Sequence, residues 1–389
     1  MNRLSRVRNL FGLEKGLLQV ASGNTLASII GAFFWLFMAS IMRVEDYGRL
    51  NYYLAIISIV ASISLLGLQN TVITYLAKGK TNIKYQANLI VLISNLIILP
   101  ILFFIVQNIF VILSLIGLSF FTMSWAETLA NKDYRKFSII ILSQRAVQVF
   151  LSILLYTVMG VDGVILGYAL STLTFAFNFF RSMSNFTMKL DDVKEKRSFI
   201  IHSYALTLSN SVTNNADKLL VTPLFGFGIL GLYQISFQFF MFLSVIPLSI
   251  FQFLLPREST HYQNKKVVIL GLGTAVAFSI IFYFAIPPII SSFFDHFLES
   301  MQSAQIMIFG LIPMTANAIM TSRLFGRETS RPVFIAAVVY ISALSILVLL
   351  LGRELGLIGL AIAALGSLVL QSVTLCIFLF FGRKNQSKI

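Results

Sequence analysis

Long apolar runs recur along this chain, separated by short polar segments. Each run has roughly 20 residues, the length that a helix needs to cross ~30 Å of hydrocarbon. With 57% hydrophobic and only 11% charged residues among 389, the chain has more apolar surface than a soluble protein of this size could bury. The runs are not short segments of alternating hydrophobicity, so they predict an all-α integral membrane protein rather than a β-barrel.

Twelve transmembrane helices are predicted from these runs. A single helix across 86–130 would overshoot the bilayer, so Gln107 and Asn108 are predicted to separate the third helix from the fourth. The predicted helices are 17–42, 50–76, 86–106, 109–130, 137–159, 162–181, 199–222, 229–255, 267–290, 302–322, 333–351 and 356–381.

The positive charges predict the orientation of the chain. The formal net charge is +14, and most of the 29 Lys and Arg residues fall in the termini and in the loops after the even-numbered helices. Because cytoplasmic loops are rich in Lys and Arg, we expect both termini in the cytoplasm and the chain in the cytoplasmic (inner or plasma) membrane. Topology accounts for the basic charge, so no nucleic-acid partner is expected.

The longest charged loop divides the chain into halves of similar length. We predict an N-terminal six-helix bundle at 1–183, a cytoplasmic linker at 184–198 and a C-terminal six-helix bundle at 199–389. No loop is long enough to hold a separate extramembrane domain.

Short similarities suggest that the halves are repeats. Gly48 in "EDYGRLNYY" aligns with Gly231 in "GILGLYQIS", each just before the second helix of its half. The segments 163–171 and 359–367 align at the start of the last helix of each half. Since transporters are often built from two repeats around a midplane site, we expect a pseudo-repeat around a central cavity.

Polar residues line one face of the predicted seventh helix. Their steps of three and four place them on a face about 80° wide, which is unstable against lipid. Such a face lies against either another helix or water, and both alternatives stay open. The face consists of Ser203, Thr207, Asn210, Asn214 and Asp217, and further polar candidates are Asn24, Gln69, Gln148 and Gln234.

Charged residues inside predicted helices are the other candidates for a site. Arg145 and Lys218 are cations at membrane depth, where a charge costs on the order of 3 kcal/mol. Asp217 and Lys218 are consecutive, so they point about 100° apart and need not pair. Asp217 either neutralises a cation structurally or couples an ion, while the cations could receive an anionic substrate. Glu127, near the end of the fourth helix, is either interfacial or a second ion-coupling candidate.

Catalytic and metal motifs are missing from the sequence. "YLAKGKT" lacks the first glycine of a P-loop, and neither HExxH nor a nucleophile elbow occurs. The three histidines lie far apart, and Cys376 is the single cysteine. We therefore expect no enzyme activity, no metal and no cofactor.

Three stretches resemble the polysaccharide and O-antigen flippases of the multidrug/oligosaccharidyl-lipid/polysaccharide (MOP) exporter superfamily. They are the first two helices at 14–56, the passage between the fourth and fifth helices at 131–155 with Arg145, and the start of the second half at 216–239. The resemblance implies a MATE/MOP-like fold of two six-helix bundles around a cavity. It also implies a polyprenyl-diphosphate-linked oligosaccharide as substrate, as in lipopolysaccharide O-antigen biosynthesis, flipped by alternating access.

Two rival functions and several partners follow from the same features. A cation-coupled multidrug-type antiporter of the same superfamily would use buried acids, of which Asp217 is the clear case. A membrane-embedded polysaccharide polymerase or ligase would need a large outer loop, and the longest one predicted, about 291–301, is short. The expected partners are the lipid-linked oligosaccharide, membrane lipids and a polysaccharide polymerase, with the protein acting as a monomer.

Overall fold

The computed structural model describes residues 3–183, 190–245, 247, 250, 265–326, 329 and 331–386, and this part of the chain is almost entirely helical. Ten helical segments in it are long and apolar enough to cross a membrane. Large apolar side chains on them are exposed, among them Phe104 at 79% and Phe284 at 71%. Lipid, rather than water, is the solvent that suits such a surface. The chain is a multi-pass, all-α membrane protein, as predicted.

The first nine helices lie between Arg3 and Glu195, and the first of them begins close to the N-terminus of the chain. α1 starts well before the predicted residue 17, since no proline interrupts residues 3–16. The helices are α1 (Arg3–Ile41), α2 (Val44–Leu65), α3 (Leu68–Leu76), α4 (Asn82–Val106), α5 (Ile109–Ala130), α6 (Tyr134–Met159), α7 (Val161–Leu173), α8 (Ala176–Ser182) and α9 (Asp191–Glu195).

The later helices include two that are too long for one crossing. They are α10 (Arg197–Leu243), α11 (Lys265–Phe293), a 3₁₀ segment (Asp295–Ser300), α12 (Met301–Ile308), α13 (Leu311–Gly326) and α14 (Arg331–Gln386). α10 leaves helical geometry at Gly226, with φ 84°, and α14 does so at Gly356, with φ 55°. When the two parts of each of these helices are counted separately, the ten membrane-capable segments become twelve, the number predicted. Residues 251–255 of the predicted eighth helix lie outside the described residues.

The predicted separation of the third and fourth helices is confirmed. Gln107 adopts a left-handed conformation with φ 52° and donates its N–H to the Phe103 carbonyl at 2.9 Å. The Asn108 side chain then accepts hydrogen bonds from the N–H groups of Phe110 and Val111, at 2.9 and 3.3 Å. Asn108 is therefore the N-cap of α5, a role for which asparagine is well suited.

The prediction of one continuous helix over 50–76 is wrong. The helix begins at Val44 and breaks at Leu66 and Gly67, which have φ values of 50° and 72°. A Cβ atom on Gly67 would also lie 2.8 Å from the Cα atom of Tyr204, so the backbone of α10 passes directly over this break. A glycine suits both the positive φ and the close approach. The break depends on a residue far away in sequence, which explains why the local pattern did not show it.

Contacts within the chain group it into two compact units, each of which combines two stretches of sequence. The first unit is Met1–Trp35 with Tyr53–Asn215, and the second is Leu36–Tyr52 with Ala216–Ile389. These units describe packing, whereas the predicted halves describe repeats in sequence order. The halves and their linker remain a prediction, and residues 184–189 of that linker lie outside the described residues.

The last two helices of each predicted half are joined in the same way. Gly160, between α6 and α7, has φ 59° and ψ −135°, and Gly356 has φ 55° and ψ −130°. A Cβ atom on Gly163 would collide with the carbonyl oxygen of Leu155, and a Cβ atom on Gly359 would collide with the carbonyl oxygen of Leu351. Each of these glycines lies three residues after the joining glycine and eight residues after the residue that it meets. The matching geometry supports an internal repeat with the aligned segments 163–171 and 359–367 in equivalent places.

The first unit has an apolar core where α3, α4, α5 and α8 meet. Phe120 and Phe179 stack there with ring centroids 4.2 Å apart, and both side chains are buried. Leu68, Ile83 and Met123 belong to the same cluster. This packing fixes the ends of α4, α5 and α8 relative to one another within the unit.

Candidate functional site

Asp217 and Lys218 form a buried ion pair in the second unit. They are 3% and 6% exposed, and the Lys218 Nζ lies 3.3 Å from the Asp217 Oδ1. The sequence left open whether these neighbours pair, and they do, because the flexible lysine side chain reaches the carboxylate. The Tyr233 hydroxyl donates a hydrogen bond to the other carboxylate oxygen, Oδ2, at 3.0 Å.

An aromatic ring completes the surroundings of this pair. The Lys218 Nζ lies 4.7 Å from the centroid of the Phe237 ring, a distance at which the ring quadrupole attracts a cation. Tyr233 and Phe237 come after the break at Gly226, which returns the chain to the pair. A buried charge is costly unless it is paired and hydrogen-bonded, and both conditions hold here.

Arg145 is the candidate cation at membrane depth in the first unit, and it is half-buried on α6. Its Nη1 donates to the Gln148 Oε1 at 2.8 Å, and Gln144 donates to the same oxygen at 3.3 Å. The guanidinium lies against α1, where a Cβ atom on Gly31 would be 3.3 Å from Cζ. Among the described residues, neither the buried Nε of Arg145 nor the buried Nε2 of Gln148 has a hydrogen-bond partner.

Thr207 of the polar face on α10 contacts another helix of the first unit, and so do Ser211 and Asn215 beside that face. Gln69 on α3 donates to the Thr207 hydroxyl at 3.3 Å, directly beyond the break at Gly67. Ser211 donates to the Ser58 carbonyl oxygen at 3.0 Å, and Asn215 donates to the Ser58 hydroxyl at 3.2 Å. Helix contacts of this kind were one of the two alternatives for the polar face.

The other members of that face differ in exposure. Asn210 and Asn214 are exposed, whereas Ser203 is buried. Among the remaining candidates, Asn24 is exposed on α1 and Gln234 is buried in the second unit. The face is therefore not uniform: Thr207 contacts α3, and the two asparagines are exposed.

Glu127, the second ion-coupling candidate, lies at the end of α5 in the first unit. Its Oε1 pairs with the Lys84 Nζ at 2.6 Å. The sequence did not predict Lys84 or Tyr233 as site residues, because each lies far along the chain from the carboxylate that it contacts. Gln144 was also missed, although it lies on the same helix as its partner Gln148. Within the described residues, no group of three His, Cys, Asp or Glu side chains could hold a metal ion.

Comparisons with known proteins identify the fold. No family model and no curated protein sequence matches this chain. A structure titled "Lipid II flippase MurJ, inward closed conformation" is similar with a TM-score of 0.77 at 13% identity, over 92% of this chain and 87% of that one. An inward-facing multidrug resistance MATE family transporter of the MOP superfamily is similar with a TM-score of 0.70 at 12% identity, over 96% of this chain and 98% of that one.

A further similar structure is MATE in the bent conformation, with a TM-score of 0.62 at 11% identity, over 96% of each chain. The similarities extend over nearly the whole length of every chain, while the sequences have diverged. Structural likeness at this level of identity defines the architecture and not the substrate. The chain has the same fold as these MurJ and MATE structures.

Proposed function

We propose that this protein is a flippase that moves a polyprenyl-diphosphate-linked oligosaccharide across the cytoplasmic membrane by alternating access. The oligosaccharide would be a repeat unit of O-antigen or of another surface polysaccharide. Support comes from the fold, since a similar structure is named a lipid II flippase. The sequence resemblance to polysaccharide flippases supports the same class of substrate.

Arg145 carries this proposal. It is a cation inside a membrane-capable helix, and it has no acidic partner among the described residues. Its Nε and the Nε2 of Gln148, the residue that accepts a hydrogen bond from its Nη1, are buried donors that lack partners among the described residues. A guanidinium binds phosphate oxygens in a forked geometry, and the attraction strengthens where water is scarce.

Lys218 has a second, weaker role in the proposal. Its charge is already offset by Asp217 at 3.3 Å, so it would attract a diphosphate less than a lone cation does. This weaker attraction would allow release of the substrate, which must not bind too tightly at any stage. The exposed side chains of Asn24, Asn210 and Asn214 are suited to hydrogen bonds with sugar hydroxyls.

A cation-coupled small-molecule antiporter is the second candidate. The observation that favours it is the buried carboxylate of Asp217, held by Lys218 and Tyr233. Several similar structures are MATE transporters, and one of them is a multidrug resistance transporter. In this case Asp217 would bind the coupling ion, and Arg145 would matter little for transport.

The decisive experiment measures which leaflet holds a labelled lipid-linked oligosaccharide in vesicles with and without the full chain. We expect movement with the wild type and a loss with Arg145→Gln, whereas Arg145→Lys keeps the charge and part of the rate. Arg135→Gln is the matched control, because Arg135 is exposed on the same helix α6. Full movement by Arg145→Gln at equal protein levels, or none by the wild type, would contradict the proposal.

The partners complete the proposal. We propose that the protein acts as a monomer among membrane lipids and delivers its product to a polysaccharide polymerase.

A drug-transport assay driven by a proton or sodium gradient separates the flippase from the antiporter. Gradient-driven efflux that Asp217→Asn abolishes and Arg145→Gln spares would favour the antiporter.

A further inference from the structure

A polar cavity of about 320 Å³ lies in the first unit, where four helices end. It is lined from the first turn of α4, the last turn of α5, the first turn of α6 and the short helix α8. Its charged side chains are Lys84, Glu127, Asp133, Lys136 and Arg181. The volume is at the lower end of the roughly 300–1,000 Å³ typical of small-molecule sites.

One lysine of this cavity is already neutralised. The Lys84 Nζ lies 2.6 Å from the Glu127 Oε1, and the two side chains are 20% and 21% exposed. A pair this close in a partly buried place is stable, because the charges attract more strongly than in water. Lys84 and Glu127 therefore form a neutral wall of the cavity.

The second carboxylate is also occupied. Asp133 caps α6 by accepting a hydrogen bond from the Lys136 backbone N–H at 3.1 Å. The side chains of Lys136 and Arg181 are exposed, and neither makes an ion pair or side-chain hydrogen bond with another described residue. Three cations against two carboxylates give the cavity one net positive charge, and two of the cations, Lys136 and Arg181, have no ion-pair partner among the described residues.

The neutral lining adds further hydrogen-bonding groups. Ser124, Thr128, Asn131 and Asn178 contribute hydroxyls and amides to the cavity wall. The Ser124 and Thr128 hydroxyls already donate to backbone carbonyls at 2.8 and 2.9 Å, so the amides supply the available donors. An anion that accepts several hydrogen bonds suits this combination of cations and amides.

We propose that this cavity binds a phosphate group, presented either by an anionic lipid headgroup or by a soluble phosphate compound. The cavity lies where apolar spans end, which is the depth of lipid phosphates in a bilayer. The charge pattern predicts that this end is cytoplasmic, the side where anionic lipids attract basic residues. The proposal concerns the first unit alone and does not depend on the flippase proposal.

The test measures phosphate binding by the full chain in two arms. In the first arm, native mass spectrometry counts phosphatidylglycerol bound in competition with zwitterionic phosphatidylcholine. In the second arm, titration calorimetry in detergent measures binding of inorganic pyrophosphate. The variants are Lys136→Gln, Arg181→Gln and the double variant, all on exposed side chains that should not disturb folding.

The expected result is a loss of binding in at least one arm. Removing one charged donor should weaken binding about tenfold, and the double variant should bind no better than background. A loss in the lipid arm identifies a headgroup, and a loss in the pyrophosphate arm identifies a soluble phosphate compound. Arg135→Gln removes an exposed charge on the same helix but outside the cavity, so it should bind like the wild type.

Two outcomes would overturn the proposal. Equal binding by the wild type and the double variant in both arms would show that the cavity does not hold phosphate. An equal loss in the Arg135→Gln control would show that general surface charge, and not the cavity, attracts the anion. Size-exclusion chromatography of each variant confirms that the fold is retained before binding is compared.

Discussion

Gly48 and Gly231 pack against each other through a reciprocal contact. A Cβ atom on Gly48 would collide with the carbonyl oxygen of Phe227, four residues before Gly231. A Cβ atom on Gly231 would collide with the carbonyl oxygen of Val44, four residues before Gly48. Contacts that exchange in this way are typical of a two-fold axis, so the two aligned glycines support the internal repeat.

Alanine at Gly48 should therefore weaken the second unit. We expect Gly48→Ala to cost about 1–3 kcal/mol, because the added methyl group forces two backbones apart. Thermal unfolding in detergent measures the effect as a lower midpoint. Gly228→Ala is the control, since a Cβ atom there meets nothing within 4 Å. Equal midpoints for Gly48→Ala and the control would contradict the close contact.

Replacing one residue of the buried ion pair should lower the free energy of unfolding more than replacing both residues. Asp217→Asn or Lys218→Gln alone leaves one buried charge without its partner, and we expect a loss of about 3–5 kcal/mol. The double variant should lose less than either single one. Chemical denaturation of the four proteins measures this difference. The exposed pair of Arg43 and Asp46, 2.9 Å apart, is the control, and Arg43→Gln should cost less than about 1 kcal/mol.

Cysteine labelling tests the two parts of the polar face on α10. In a background with Cys376→Ser, cysteines at Asn210 and Asn214 should react with a small polar thiol reagent, since both positions are exposed. A cysteine at Ser203 should be protected by burial. Leu206 is 59% exposed, so protection of a cysteine there would show that it faces lipid. Protection at Asn210 and Asn214 would mean that no water reaches this face.

The surface ion pairs near α9 predict a small pH dependence of stability. Hydrogen bonds from Lys196, at 2.5 Å, and Lys80, at 2.8 Å, lower the pKa of Glu195 to about 2. Because an unfolded glutamate has a pKa of about 4.3, the stabilisation is present above that pH and disappears as the pH falls through the folded value. Thermal unfolding of wild type and Glu195→Gln should therefore differ at neutral pH and converge in acid. A difference that stays constant would rule out these contacts as its cause.

The orientation is tested with a reporter that is active only outside the cytoplasm. Fused after Ile389, it should stay silent, because the distribution of Lys and Arg predicts that both termini lie inside. A fusion at Arg353, in a loop predicted to lie outside, should be active and shows that the reporter works. Strong reporter activity after Ile389 would contradict the predicted orientation.

Local patterns predicted most of the helices, and distant contacts account for what was missed. The separation at Gln107 and Asn108 was predictable from length and capping chemistry, both of which are local. The break at Gly67 was not, because its cause is the backbone at Tyr204. The charged candidates in the membrane were found from their positions inside predicted helices. The contact of Tyr233 with Asp217 was not predicted, since it depends on the break at Gly226.

The adjacency of Asp217 and Lys218 bears on how the protein responds to voltage. A single charge that crosses the whole membrane field gains about 2.3 kcal/mol per 100 mV. Asp217 and Lys218 are neighbours on one helix and 3.3 Å apart, so they shift together and their contributions cancel. Arg145 has no such partner among the described residues, and its displacement would carry gating charge. If the proposed transport depends on membrane potential, that dependence should therefore follow Arg145 and the charge of the proposed substrate, and not the ion pair.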